Sequence, residues 1–144
     1  MASSLLRILV ADDFEPFRRF VCATLQDKLE SQTIIEASDG VAAVELAQAL
    51  QPYLVLLDIG MSKLNGIEAA QRILQLSPKS KILFVSQESS VVQAAFSVDA
   101  SGYVVKMDMV SELVPAVNAV LSGKTFVGSR FARAGITVNS VRPR

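Results

Sequence analysis

The chain has 144 residues, a length typical of one domain, and 51% of them are hydrophobic while 19% are charged. This composition excludes a disordered acidic or basic chain, because it supplies enough apolar surface for a core. No apolar run reaches the roughly 18–20 residues that a membrane-spanning helix needs, and the N-terminus lacks a signal-peptide pattern. With no histidine and one cysteine, Cys22, the sequence excludes histidine-ligated metals and an intramolecular disulfide. We therefore expect a soluble, cytoplasmic protein with no membrane partner.

The net charge of zero combines two parts of opposite sign. Residues 1–123 carry all 14 acidic residues and nine basic ones, whereas residues 124–144 carry five basic residues and no acid. A body with an excess of negative charge argues against broad nucleic-acid binding, which needs a basic face. We interpret residues 5–123 as the folded domain and residues 124–144 as a basic tail or linker. The tail could alternatively contact phosphate or an acidic partner.

Short apolar runs typical of strands alternate five times with helical patterns. Predicted strands span 7–11, 33–37, 52–57, 81–86 and 102–105, and predicted helices span 14–30, 40–50, 66–76, 90–98 and 110–121. Pro115 lies inside the last helix and predicts either a kink or a later start, at 111–115. Because the strands are so apolar, the alternation predicts a three-layer (βα)5 fold, a doubly wound, five-stranded parallel sheet with helices on both faces.

Polar residues lie where four of the five predicted strands end. Asp12 and Asp13 follow the first strand, Asp58 follows the third, Ser86 ends the fourth and Lys106 follows the fifth. In an open parallel sheet these carboxyl ends meet at one edge, which is where ligands bind. Three clustered carboxylates cannot all stay ionised without a counter-charge, and Mg²⁺ prefers such oxygen ligands. With the lysine ammonium added, the edge suits a phosphoryl group, whose transfer depends mainly on positioning and charge neutralisation.

Five motifs, in order along the chain, resemble those of the receiver domain of bacterial two-component response regulators. They are Val10-Ala11-Asp12-Asp13, Leu56-Leu57-Asp58-Ile59-Gly60-Met61, Leu64-Asn65-Gly66, Phe84-Val85-Ser86 and Gly102-Tyr103-Val104-Val105-Lys106. The resemblance covers about residues 6–122 and is strongest to receivers of the LuxR/FixJ-type subfamily. It implies a flavodoxin-like receiver fold and a signalling domain, not an enzyme acting on a separate substrate. A sensor histidine kinase or a phosphotransfer protein would be its phosphoryl donor.

The resemblance also implies a role for each residue at the acidic edge. Asp58 would be the phospho-acceptor. Asp13, Asp58 and the backbone carbonyl of Gly60 would bind Mg²⁺, and Asp12 would contribute either directly or through water. Lys106 would pair with Asp58 at rest and with the phosphoryl oxygens afterwards.

A conformational switch is implied by two further residues. Ser86 would move to hydrogen-bond the phosphoryl group, and Tyr103 would swing inward behind it. The face formed by the fourth helix, the fifth strand and the fifth helix would then change shape and could serve as a partner or homodimer surface. Two residues depart from the family pattern: Ser62 stands where proline is common, and Gln87 stands where a small residue is common. Gln87 could restrict access to the phosphoryl group or hydrogen-bond its attacking water.

Less specific interpretations exist for the same residues. Asp12 and Asp13 could merely cap the first helix, and Tyr103 in a half-buried edge strand could simply pack.

A hydrolase with an aspartate nucleophile would need a second carboxylate two residues after Asp58, where Gly60 stands. A phosphate-insensitive interaction module with a receiver fold is the better alternative. About 22 residues follow the last helix, too few for a DNA-binding domain, so we expect a stand-alone receiver or the front piece of a longer regulator.

Overall fold

In the computed structural model, which describes residues 6–30, 32–87 and 97–129, parallel strands form one sheet with helices on both faces. The strands are β1 (Leu6–Ala11), β2 (Gln32–Ala37), β3 (Leu54–Asp58), β4 (Lys81–Ser86), β5 (Gly102–Val105) and β6 (Phe126–Val127), in the order β2-β1-β3-β4-β5-β6. The helices within these ranges are α1 (Glu15–Lys28), α2 (Gly40–Leu50), α3 (Gly66–Leu76) and α4 (Met109–Leu121). A 3-10 turn, Lys106–Asp108, joins β5 to α4. The predicted doubly wound parallel α/β fold is confirmed.

The two faces of the sheet pack against different pairs of helices. One core cluster joins Leu9 and Phe84 of the sheet to α2 and α3. The other joins Ile8 and Val104 to α1 and α4. Successive residues of β1 therefore face opposite layers, and all five residues of β3 are buried. Because both faces of the central strands are covered by helices, their sequences are continuous runs of apolar residues.

The sheet has one strand more than the five predicted. Gly102 pairs with Phe126 and Tyr103 with Val127, in parallel register. The Gly128 N–H also donates to the Tyr103 carbonyl at 2.9 Å. The start of the segment predicted as a tail is therefore part of the sheet, and β5 is not an edge strand at Tyr103. A strand of two residues is too short to produce a periodic pattern that sequence analysis could detect.

The last helix begins at Met109 and continues through Pro115, so the later start at 111–115 is wrong. Proline removes one backbone N–H from the helix, but the buried residues Leu113, Ala116 and Val117 hold α4 against the sheet. The helix predicted at 90–98 falls mostly outside the described residues, and its last two positions lie in a turn. Among the helices in the described ranges, none has the length and apolar character needed to cross a membrane.

Gly66 allows α3 to begin directly against the end of β3. Its N–H donates to the Ile59 carbonyl at 2.8 Å, and a Cβ at this position would overlap the carbonyl oxygen of Asp58. Asn65 caps the helix, because its side-chain oxygen accepts from the Glu68 N–H at 3.0 Å. The start of α3 therefore fixes the backbone at Asp58 and the loop that follows it.

This close packing predicts that Gly66→Ala lowers the free energy of unfolding by about 1–3 kcal/mol, because the backbone around Asp58 would have to move. Gly60→Ala is the matched control, since a Cβ there meets nothing within 4 Å and should change stability by less than about 0.5 kcal/mol. Urea unfolding of the two variants and the wild type measures the difference. Equal stability of the two variants would contradict the packing argument.

Candidate functional site

Three carboxylates meet at the carboxyl ends of β1 and β3. One oxygen from each of Asp12, Asp13 and Asp58 lies within 4.8 Å of the others. Asp12 and Asp58 are only 3% and 7% exposed, whereas Asp13 is exposed. The proximity follows from the topology, because β1 and β3 are neighbours in the sheet and their carboxyl ends lie side by side.

Lys106 brings the ammonium group that this cluster needs. Its Nζ lies 2.8 Å from Asp12 Oδ2 and 3.7 Å from Asp58 Oδ2, and its side chain is only 12% exposed. The lysine is therefore shared between two carboxylates, and the shorter contact is to Asp12. Lys106 reaches both because it follows β5 directly, at the same edge of the sheet.

Asp12 is held in place by its own backbone and side-chain contacts. Its Oδ1 accepts from the Phe14 N–H at 2.9 Å, and its backbone N–H donates to Ala37 at 3.1 Å. Its carbonyl accepts from Arg18 Nη1 at 2.8 Å, and Arg18 Nε donates to Glu36 at 2.7 Å. Asp12 does not cap α1, because the N-cap is Phe14, which has no side-chain cap. The sequence predicts no role for Arg18, because the helical pattern indicates only that this residue lies on the polar face of the helix.

The loop after β3 contacts the other two carboxylates. The Ser62 N–H donates to Asp13 Oδ2 at 3.1 Å, and the Gly60 N–H donates to Asp58 Oδ1 at 3.4 Å. A proline at position 62 would lack the first of these donors. The departure of Ser62 from the family pattern therefore has a structural consequence, because it ties the loop to Asp13.

The pKa of Asp58 is raised to about 6, chiefly because the carboxyl is buried. The negative charges of Asp12 and Asp13 contribute to this rise, whereas the Lys106 ammonium and the Gly60 N–H act against it. At neutral pH this carboxyl is mostly ionised although it is buried beside other acids. The three carboxylates are balanced only in part by the single Lys106 ammonium, so the site favours binding of a cation.

The carboxylates face an open cavity of about 360 Å³. It is lined by Asp13, Phe14, Asp58, Ile59, Gly60, Ser86, Gln87 and Lys106. The ligand atoms offered by the acidic cluster are all oxygens, which is the donor set that Mg²⁺ prefers. The structure thus brings Asp13, Asp58, Ser86 and Lys106 to one cavity, together with Gln87. Asp12 does not line this cavity, but it contacts Lys106 and lines the small pocket next to Asp58.

Tyr103 lies apart from the cavity, in the layer packed against α2 and α3. Its side chain is fully buried in the same cluster as Phe84. Its side chain is therefore already buried here, whereas the resemblance implies that it moves inward when the domain switches. Ser86, the other predicted switch residue, is buried at the cavity wall.

Comparison with known proteins agrees with this geometry. Residues 8–118 match the family model described as the response regulator receiver domain. The chain is 33% identical over 124 residues to the transcriptional regulatory protein DegU of Brevibacillus brevis, covering 85% of this chain and 52% of that protein. It is 28% identical over 131 residues to the response regulator GacA of Pseudomonas protegens, covering 90% and 62%. The chain therefore spans between half and two thirds of these relatives.

Among solved structures, the chain is similar to a two-component response regulator of the LuxR family from an Aurantimonas species. The TM-score is 0.83 and the identity is 30%, and the match covers 90% of this chain and 94% of that chain. These similarities agree with the resemblance seen in the motifs. They give no support to the phosphate-insensitive alternative.

The raised pKa of Asp58 predicts how stability depends on pH. The folded state binds this proton more tightly than the unfolded chain does, so the free energy of unfolding falls as pH rises from about 4 to about 6. Asp58→Asn lacks the group and should exceed the wild type by about 1–3 kcal/mol above pH 7, with the difference disappearing below pH 4. Urea unfolding at a series of pH values without divalent ions measures this. A difference that stays constant with pH would contradict the assignment.

Proposed function

This chain belongs to the response regulator receiver domain family of two-component systems, and from that premise we propose that Asp58 is its phospho-acceptor. The observation that carries the proposal is the cluster of Asp12, Asp13, Asp58 and Lys106, of which Asp13, Asp58 and Lys106 line one open cavity. Within the proposal, residues 5–123 form the receiver, and Phe126 and Val127 of the basic segment that follows add the strand β6 to its sheet. The rest of residues 124–144 is a linker or tail, and the protein acts in the cytoplasm.

In the proposed reaction, Asp58 attacks the phosphorus of a phosphohistidine on a kinase or phosphotransfer protein. A bond forms between the carboxylate oxygen and phosphorus, and the phosphorus–nitrogen bond breaks with its electron pair going to nitrogen. The histidine leaves as neutral imidazole, with one ring proton taken up from solvent. Attack needs the ionised carboxylate. A pKa of about 6 leaves Asp58 mostly ionised, and so able to attack, at neutral pH.

Asp13, Asp58 and the backbone carbonyl of Gly60 are the proposed Mg²⁺ ligands. Asp12 is better suited to contribute through water, because Oδ1 already accepts from Phe14 and Oδ2 from Lys106. When bound, Mg²⁺ would neutralise charge on the phosphoryl oxygens during transfer. The Ser62 N–H contact leaves the second oxygen of Asp13 available for this role.

Lys106 and Ser86 are proposed to receive the phosphoryl group once it is attached. The ammonium is within reach of Asp58 now and would shift toward the new oxygens, while the Ser86 hydroxyl at the cavity wall would hydrogen-bond one of them. Tyr103 would occupy its inward position in that state. The response would reach the face formed by the predicted fourth helix, β5 and α4, the last of which corresponds to the predicted fifth helix. Val110 on α4 is 90% exposed, and this face is the proposed homodimer or partner surface.

The proposal is tested by mixing the protein with acetyl phosphate and Mg²⁺ and measuring the intact mass. One phosphoryl mass should be added to the wild type and none to Asp58→Asn, because amide nitrogen and oxygen are poor nucleophiles. A wild type that gains no mass would support the phosphate-insensitive alternative. An Asp58→Asn variant that gains the same mass would move the acceptor to another residue.

The metal assignment predicts a loss of Mg²⁺ affinity in Asp13→Asn. Because a charged oxygen ligand is replaced by a neutral amide, affinity should fall at least about tenfold and phosphorylation should be blocked while the fold is kept. The exposed Asp27→Asn on α1 is the charge-matched control and should keep wild-type affinity. Isothermal titration calorimetry with Mg²⁺ compares the three proteins. Unchanged affinity in Asp13→Asn would remove that residue from the metal site.

A further inference from the structure

The ammonium of Lys106 has a third neighbour besides the two carboxylates. Its Nζ lies over the ring of Phe17, 4.5 Å from the ring centroid. Phe17 is in the first turn of α1, is partly buried, and packs against the core cluster beneath α1 and α4. An ammonium at this distance from an aromatic face is attracted by the negative face of the ring.

The ring and the carboxylates together enclose the ammonium. Asp12 and Asp58 lie 2.8 Å and 3.7 Å from Nζ, and the ring adds a cation–π contact from α1, so the lysine side chain is left 12% exposed. Phe17 also lines both the small pocket that includes Asp58 and the apolar groove that includes Lys106. With water displaced by the ring, the lysine charge is less screened and acts more strongly on the carboxylates.

We propose that Phe17 is a positioning residue for phosphoryl acceptance, because its ring holds the Lys106 ammonium at the edge of the cavity. The proposal rests on the proposed function of Asp58 as acceptor. Phe17 itself touches neither Mg²⁺ nor the phosphoryl group in this account. It acts through Lys106, which would otherwise be a long, flexible side chain with several accessible rotamers.

The geometry allows the ring to keep this role while the lysine moves. Attraction between an ammonium and an aromatic face extends to roughly 6 Å from the centroid. From its position at 4.5 Å, Nζ can therefore shift by about 1.5 Å toward a new phosphoryl oxygen and remain in contact with the ring. An aliphatic side chain at position 17 would fill the same space in the core but offer no such attraction.

The test compares Phe17→Leu with Phe17→Tyr, which keeps the aromatic face. The initial rate of phosphorylation by acetyl phosphate at saturating Mg²⁺ should fall about three- to tenfold in Phe17→Leu and stay within about twofold of wild type in Phe17→Tyr. Leu29→Ala is the control for lost packing, because Leu29 is partly buried against the same cluster at the other end of α1. It should lose stability without slowing phosphorylation.

A second readout does not depend on phosphorylation. In proton NMR spectra of the unphosphorylated protein, the ε-methylene protons of Lys106 should be shifted upfield by the ring in the wild type and in Phe17→Tyr, and not in Phe17→Leu. A wild-type rate in Phe17→Leu, a rate in Phe17→Tyr as low as in Phe17→Leu, or no upfield shift in the wild type would each overturn the positioning role. A wild type that shows the shift but accepts no phosphoryl group would instead overturn the proposed function.

Discussion

Three carboxylates lie around a single ammonium at one end of the parallel sheet, and the contacts of the rest of the site are organised around this cluster. Asp12, Asp13 and Asp58 bring three negative charges, and Lys106 supplies one positive charge within 4 Å of two of them. Such a cluster repels itself when the acids are ionised, and the buried core must supply the energy that holds it together. Burial of Asp58 is the main cause of its raised pKa, and the repulsion from Asp12 adds to it. A divalent cation and a phosphoryl group are the kinds of ligand that such a site accommodates.

The residues around the cluster hold it in this unfavourable arrangement. Arg18 fixes the carbonyl of Asp12, and the Ser62 N–H holds Asp13. Gly66 lets α3 press on the backbone of Asp58, while Phe17 covers the ammonium of Lys106. The first helix is therefore as much a part of the site as the strands, since it provides two of these supports. This arrangement links the stability of the domain to the ionisation of Asp58.

The clustering of Asp12, Asp13 and Asp58 could be predicted, because parallel strands bring their carboxyl ends together and a polar residue after each apolar run must lie at one edge. The contacts of Phe17 and Arg18 could not be predicted. The sequence pattern indicates only that Phe17 belongs to the apolar face of an amphipathic helix and Arg18 to its polar face. The preference of Lys106 for Asp12 depends on side-chain distances that no spacing encodes. The strand β6 was missed for a different reason, because Phe126 and Val127 are too few to form a pattern.

The fold buries Asp58 beside two other carboxylates, whose charge Lys106 balances only in part. A ¹³C NMR titration that follows the side-chain carboxyl of Asp58 measures the consequence. We predict a midpoint near pH 6 in metal-free protein, because burial and the neighbouring acids disfavour the ionised form, and a lower midpoint when Mg²⁺ is present. A metal-free midpoint at the ordinary value of 3.8, unchanged by Mg²⁺, would contradict it.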